Sequence, residues 1–515
     1  MKVILDALIP RDDFEVIGEE SQSIGVAIST LSVTNLQRGD FFLSVARKPD
    51  FQRETNEWDT KKIIGLLNSF IDGDLIPAII LWQSPRGYMF VIDGAHRLSA
   101  ITAWINDDYG DGPISKSFFS SAIPEEQLNQ AEKTRKAIRK QIGSFADYEL
   151  ATTHPEKVHS EIVKRSKVLA ARAVQVQWVN GDARKAEESF FKINQEAVAI
   201  NPTELKLLKS RNKPDGIAAR AISRSGTGHK YWANFSEANQ LLTEELSKEI
   251  NTALFAPPLK SPVKTLDLPV GGKLYSQQTL ALILELTHIA NNTQEGFDQD
   301  DDLTGEKTVE TLKNTRRVVR RINSVHASSL GLHPAVYFYS YDGRYKPASF
   351  YIVALLVTRL EKSQKKLRLF TDARKTFEEW LLSNDYFAEQ IIRKARSAAA
   401  GYPIVVDLYE KVIELINSRL DATQVTKELE RVSEYKYITK PVTSSYASVS
   451  FSSSTKSAVF MQEALKNALR CDICKGYIHK NSITIDHEVR KSEGGMGVLE
   501  NGKLAHPYCN TTYKH

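Results

Sequence analysis

The chain has 515 residues, 42% of them hydrophobic and 25% charged, a globular composition with room for roughly three domains. No apolar run approaches the roughly 20 residues of a membrane span, and "MKVILDALIPRDDFEVIGEE" turns acidic too early for a signal peptide, so a cytoplasmic protein without a membrane partner is expected. The net charge of +5 and a pI near 8.7 suit nucleic-acid binding without establishing it.

The N-terminal region reads as α/β. "TKKIIGLLNSFIDG" (60–73) has helical spacing, with Ile63, Ile64, Leu66, Leu67 and Phe70 on one side. "AIILW" (78–82) and "YMFVI" (88–92) read as strands joined by the Pro/Gly hairpin "QSPRG". The second strand runs into Asp93-Gly94-Ala95-His96-Arg97, and "RLSAITAWIN" is again helical. A strand, an Asp-Gly turn and a helix start form a geometry suited to phosphate. Gly94 permits the sharp turn, the helix N-terminus offers free N–H groups, and Arg97 carries a fork of donors. Asp93 fits three tasks: holding a metal, orienting Arg97, or accepting from a ribose. The plainer reading is an Asp93–Arg97 pair that braces the turn. "AVQVQWV" (173–179) alternates like a half-buried strand.

From about residue 206 the pattern is mostly helical, as in "SQQTLALILELTHIAN", "TVETLKNTRRVVRRIN", "ASFYIVALLVTRLEKS" and "DARKTFEEWLLSN". The basic runs "KTRKAIRK" (133–140) and "NTRRVVRR" (314–321) read either as solvated helix faces or as phosphate-facing stripes. "DQDDDL" (298–303) lacks the glycine and glutamate of a calcium loop and reads as an exposed loop. Serine-rich residues 441–460 have a linker's composition.

All three cysteines, Cys471, Cys474 and Cys509, fall in the last 45 positions, which excludes a disulfide framework and marks a separate unit. Cys471-x-x-Cys474 and His506-x-x-Cys509 make two pairs of ligands suited to structural zinc. About 50 residues bury too little apolar surface to fold alone, so a metal staple has a physical purpose there. Between the pairs lie Asp486-His487, Gly494-Gly495 and Asn501; Asn510 follows the last cysteine.

This order of knuckle, DH pair, GG loop, Asn, Cys-Asn and then Lys514 resembles the HNH endonuclease family, with its ββα-metal fold. His506 stands where cysteine is commoner. The resemblance implies His487 as general base and Asp486 and Asn510 as ligands of a catalytic divalent ion such as magnesium. It gives Asn501 the task of ordering the loop that positions His487. His479 and His515 lie outside the pattern, and His479 reads as a loop residue.

The DGAHR stretch, with "PDFQRETNEWDT" before it and "FFKINQEAVAINPTELKLL" after it, resembles the ParB/sulfiredoxin-like domain that carries a DGQQR or DGQHR motif. That domain occurs in modification-dependent restriction proteins such as GmrS and SspE. Here Ala95 replaces the first glutamine and His96 the second. The resemblance implies a site for a nucleoside triphosphate, with Asp93, Gly94, His96, Arg97 and Arg53 as candidates.

The expected architecture is α+β: a ParB-like α/β domain (1–205), a helical domain (206–440), a linker (441–460) and a zinc-stapled HNH module (461–515). The expected function is a metal-dependent DNA endonuclease of anti-phage defence or modification-dependent restriction, controlled by nucleotide binding or DNA sensing. Phage or modified DNA is its expected partner, with a second copy of the chain left open. The rivals are a homing or mobile-element nuclease and a non-catalytic zinc-containing DNA-binding regulator.

Overall fold

A computed structural model describes residues 3–12, 28–49, 52, 58–119, 123, 125–169, 171–197, 206–207, 209–227, 230–257, 267–272, 279–293, 299–440 and 451–514. Arg53, Glu204, Leu205, His515 and residues 441–450 of the expected linker lie outside the described residues. The chain forms two compact units, Met1–Lys209 and Ser210–His515. The helical region and the cysteine module, expected as separate domains, thus share one unit. The fold is mixed α+β.

The first unit is built on a six-stranded mixed sheet. Its strands are β1 (Arg11–Asp12), β2 (Thr30–Ser32), β3 (Ala46–Pro49), β4 (Ile79–Gln83), β5 (Met89–Asp93) and β6 (Ala173–Trp178), in the order β1-β3-β5-β4-β6-β2. β5 runs parallel to β3 and antiparallel to β4, and β4 runs parallel to β6. In β6 the expected alternation is present: Val174 and Val176 are buried while Gln175 and Gln177 face out. Helix α1 (Thr60–Asp72) is capped by Asp59, which accepts from Lys62 N at 3.0 Å. It buries Ile63, Ile64, Leu67 and Phe70, and α2 (Ala95–Ile105) adds Leu98, Ile101 and Trp104 to the same core.

Among the described residues, the second unit is helical up to its C-terminal module. α3 (Glu237–Phe255), α4 (Glu306–Ile322), α5 (Pro347–Glu361), α6 (Gln364–Ser383) and α7 (Ala398–Asn417) carry much of it. Trp380, Phe377 and Phe370 of α6 are fully buried, and Trp380 Nε1 donates to Thr426 Oγ1 at 3.0 Å. No helix among the described residues is long and apolar enough to cross a membrane.

Three surface features resolve differently from the plainest sequence reading. The arginines of both basic runs are held in ion pairs. Arg316 and Arg320 grip Glu249 of α3, and Arg317 and Arg321 grip Glu361 of α5. Arg135 and Arg139 pair with Asp107, and Arg135 also with Asp111 and Glu132. These runs pin helices together rather than offering an open phosphate stripe. Part of the serine-rich linker is helix: Ser452 accepts from Thr455 N at 3.0 Å and starts α8 (Ser453–Lys466), which buries Ala458 and Met461. Serine there acts as a cap, a role that composition alone hides.

Within the acidic run, Asp302 is buried rather than exposed. It accepts from Gly305 N at 2.9 Å, Thr308 N at 2.7 Å and Thr308 Oγ1 at 2.8 Å, closing the N-terminus of α4. Asp302→Ala should therefore lower the second unit's stability by about 1–3 kcal/mol, as expected for a lost cap that strands buried donors. Denaturant midpoints read at a probe in that unit check this.

Candidate active site and metal centre

β7 (Thr484–His487) and β8 (Gly502–Ala505) form an antiparallel ribbon with Asp486 opposite Lys503 and His487 opposite Gly502. The short π-type turn Cys509–Tyr513 closes the chain against it, with Lys514 N donating to Cys509 O at 3.2 Å.

One end of the ribbon carries the metal-ligand cluster. The sulfurs of Cys471, Cys474 and Cys509 and a ring nitrogen of His506 lie within 4.8 Å of one another, and all four residues are buried. His506 Nδ1 is 3.3 Å from Cys474 Sγ and 3.8 Å from Cys509 Sγ, the edge lengths of a tetrahedron with ligand bonds of about 2.0–2.3 Å. His506 Nε2 donates to Tyr477 O at 2.9 Å, which fixes the tautomer and turns Nδ1 to the cluster. Burial lowers the His506 pKa and keeps the ring neutral, as a ligand must be. Hydrogen bonds from Cys474 and Cys509 hold the Cys471 thiol far below its ordinary value. The bond to Cys471 raises the other two thiols, Cys474 to about 12. Three crowded thiolates require a cation between them, and this soft, closed donor set fits zinc.

The other end holds the Asp-His pair. Asp486 is buried, and Lys514 Nζ bridges its Oδ2 at 2.7 Å to the carbonyl of His487 at 2.6 Å. His487 is half-buried at the last position of β7. Asn510 donates through Nδ2 to Ile485 O at 3.2 Å, which leaves its side-chain oxygen the acceptor role that a hard cation needs. Asn501 stands apart from these groups and works on the loop. Its Oδ1 accepts from Val489 N at 2.7 Å and its Nδ2 donates to Met496 O at 2.8 Å, while its own carbonyl accepts from Glu488 N at 2.9 Å. Gly495 passes so close to Val489 that a Cβ there would lie 1.8 Å from the Val489 carbonyl.

The module docks tightly on the helical region through contacts that no motif announced. Arg374 and Glu378 of α6 are fully buried and paired at 2.9 Å. Arg374 Nη2 donates to Gly331 O at 3.0 Å, its Nη1 lies 3.3 Å from His506 Nδ1, and Glu378 accepts from Tyr477 N at 2.7 Å. His479, expected as a loop residue, is 2% exposed and lies 3.1 Å from Asn323 Nδ2, so its side chain belongs to this interface.

In the first unit, a bulge at Ile80/Leu81 sets Ile80 opposite Asp93. Gly94 adopts a φ of 93°, and a Cβ there would lie 2.4 Å from Ile79. Arg97 Nη2 donates to Asp93 Oδ2 at 2.8 Å and to Ala78 O at 3.1 Å. His96 stacks on Trp58 with ring centroids 6.1 Å apart. These contacts unite Asp93, Gly94 and Arg97, with one arm of Arg97 bracing the turn, while the His96 ring meets Trp58.

Asn501→Ala removes three side-chain bonds that hold the loop, those to Val489 N, Val489 O and Met496 O, and keeps the backbone bond to Glu488 N. Amide exchange at Val489 should accelerate by about 10-fold or more, the equivalent of roughly 1.4 kcal/mol. Zinc content should not change, and elemental analysis beside hydrogen exchange checks both.

Two families of known proteins match this chain. Residues 33–211 match the GmrSD restriction endonuclease N-terminal domain, and residues 471–515 match the HNH endonuclease. No curated protein and no solved structure matches. A GmrSD-type restriction endonuclease domain on the same chain as an HNH endonuclease domain supports a restriction nuclease that acts on DNA.

Proposed function

We propose that the chain is a metal-dependent DNA endonuclease of modification-dependent restriction or anti-phage defence. Its HNH module cuts, and its N-terminal domain, ParB-like by its Asp-Gly-Ala-His-Arg motif, binds a nucleoside triphosphate and controls the cut. The observation that carries this reading is the Asp486–Lys514 pair at the end of β7, beside Asn510 and next to a closed four-ligand cluster. A DNA reader without chemistry needs the cluster alone.

In the proposed reaction His487 takes a proton from the attacking water, and its position is set by Lys514 on its carbonyl and by the loop that Asn501 ties. Asp486 and Asn510 would hold a hard divalent ion such as magnesium through oxygen, and when bound it would supply charge neutralisation at the scissile phosphate. Lys514 balances the buried Asp486 carboxylate and adds positive charge where phosphate arrives. Cys471, Cys474, His506 and Cys509 take no part in the chemistry; as a closed zinc set they hold β7, β8 and the last turn in register. Control from a second domain has a chemical reason, since an HNH nuclease without it would cut host DNA.

His487→Ala should lower plasmid nicking in magnesium by about 10²-fold or more, the usual contribution of a general base, with zinc content unchanged. Residual cutting within a few-fold of wild type would remove His487 from the mechanism.

In the first unit, Arg97→Ala should weaken triphosphate binding by roughly 10-fold, the effect of losing one charge-assisted contact. Calorimetric titration of the folded variant with each triphosphate reads this. A variant that melts earlier yet binds as wild type would reduce Arg97 to a brace for the turn.

A further inference from the structure

We infer that α6 is part of the nuclease's metal centre: Arg374 and Glu378 form the outer shell of the Cys471–Cys474–His506–Cys509 site, so zinc retention and docking of the module on the helical region are a single equilibrium. The inference rests on reading that cluster as a zinc site.

The connection is continuous. His506, a ligand, donates from Nε2 to Tyr477 O at 2.9 Å. Tyr477 N donates to Glu378 Oε2 at 2.7 Å, and Glu378 Oε1 accepts from Arg374 Nε at 2.9 Å and from Tyr337 OH at 3.1 Å. Arg374 returns to the ligand, with Nη1 3.3 Å from His506 Nδ1, and bonds the carbonyls of Leu330 and Gly331. The ligand's ring is thus oriented by the carbonyl of Tyr477, the same residue whose amide is held by a carboxylate some hundred residues upstream in the chain.

The fit is too close for a passive contact. A Cβ on Gly331, whose φ is 61°, would lie 2.5 Å from the His506 ring, and a Cβ on Gly476 would lie 2.6 Å from Arg374 Nε. The seam continues through Tyr508 N to Ser329 O at 3.0 Å and Ser482 Oγ to Ser324 O at 2.7 Å. Farther along α6, Asp372 accepts from the Tyr513 hydroxyl. Tyr513 sits between Asn510 and Lys514, so the same helix touches the zinc shell and the catalytic turn. A zinc ion with three thiolates carries one net negative charge, and the buried Arg374 guanidinium, shared with Glu378, lies on the His506 side of the cluster.

The test uses the full chain and zinc itself. Metal analysis comes first, because a wild-type chain without zinc overturns the metal reading and this inference with it. Zinc-loaded wild type, Arg374→Ala and Glu378→Gln are then challenged with EDTA and the release of zinc is timed. Loss of an outer-shell partner should speed release by about 10–100-fold. In wild type, which needs no variant to fold, stripping the zinc should accelerate amide exchange in 329–333 and in α6 as well as in 471–514. Release from the folded variants at the wild-type rate, or exchange changes confined to 471–514, would show a zinc module that merely rests on its neighbour and would overturn the inference.

Discussion

A buried guanidinium with a buried carboxylate is a costly arrangement unless its donors and acceptors are satisfied, and Glu378 Oε2 meets its donor, the Tyr477 amide, only when the C-terminal module is in place. Remove the module and Glu378 loses the Tyr477 amide, while Arg374 faces His506 no longer. Remove the pair and the amide of Tyr477, the residue whose carbonyl orients His506, loses its acceptor. Each side is therefore built to require the other. A segment too small to bury an adequate core of its own gains stability from a neighbouring helix, and its four-ligand cluster is suited to add a metal staple. The metal cluster then serves as a joint inside a larger body rather than as the core of a detached finger.

The distribution of charge carries a related lesson. The arginine-rich stretches suggest nucleic-acid surfaces, yet the structure commits their arginines to Glu249, Glu361, Asp107 and Asp111. The more exposed of these pairs, such as Arg316–Glu249, are worth about 1 kcal/mol or less each, but together the pairs fix which helix faces meet. The C-terminal module carries cations of its own: Lys514 is in contact with Asp486, Lys503 sits opposite Asp486 across the ribbon, and Arg490 bonds the Lys514 carbonyl.

The parts of the fold legible in sequence were those set by local pattern. Alternation found β6, helical spacing found α1, and the apolar run before Asp93-Gly94 found β5. In the module, ligand spacing and motif order singled out residues that the chain brings together. What stayed hidden depends on distant partners. Arg374 and Glu378 occupy the stripe Leu367, Phe370, Thr371, Arg374, Phe377, Glu378, Leu381, where 3.6-residue periodicity puts a core face. Two charges on an apolar face are the one signal that could have pointed to a buried pair, but nothing local names His506 or Tyr477 as the reason. Asp302 and Ser452 escaped for the opposite cause. Their composition marks loops, and only their position just before a helix makes them caps.

β7 shows how the site departs from the rules that shape the rest of the chain. Along Thr484–His487 the strand turns Ile485 outward, 58% exposed, and buries Asp486. Hydropathy alone would invert that arrangement, and sliding the register by one residue would do it. The register is held instead by polar contacts that only this alignment satisfies: Lys514 on Asp486, Asn510 on Ile485 O, and Thr484 Oγ1 on Ala505 O at 3.1 Å. At one end the zinc ligands follow Ala505 directly, so the cluster clamps the ribbon where sliding would begin. The strand thus gives up burial of an isoleucine to bury a carboxylate next to the half-buried histidine at its last position. Local preference yields to a fixed geometry there, as it does in proteins where binding or chemistry is the stronger constraint.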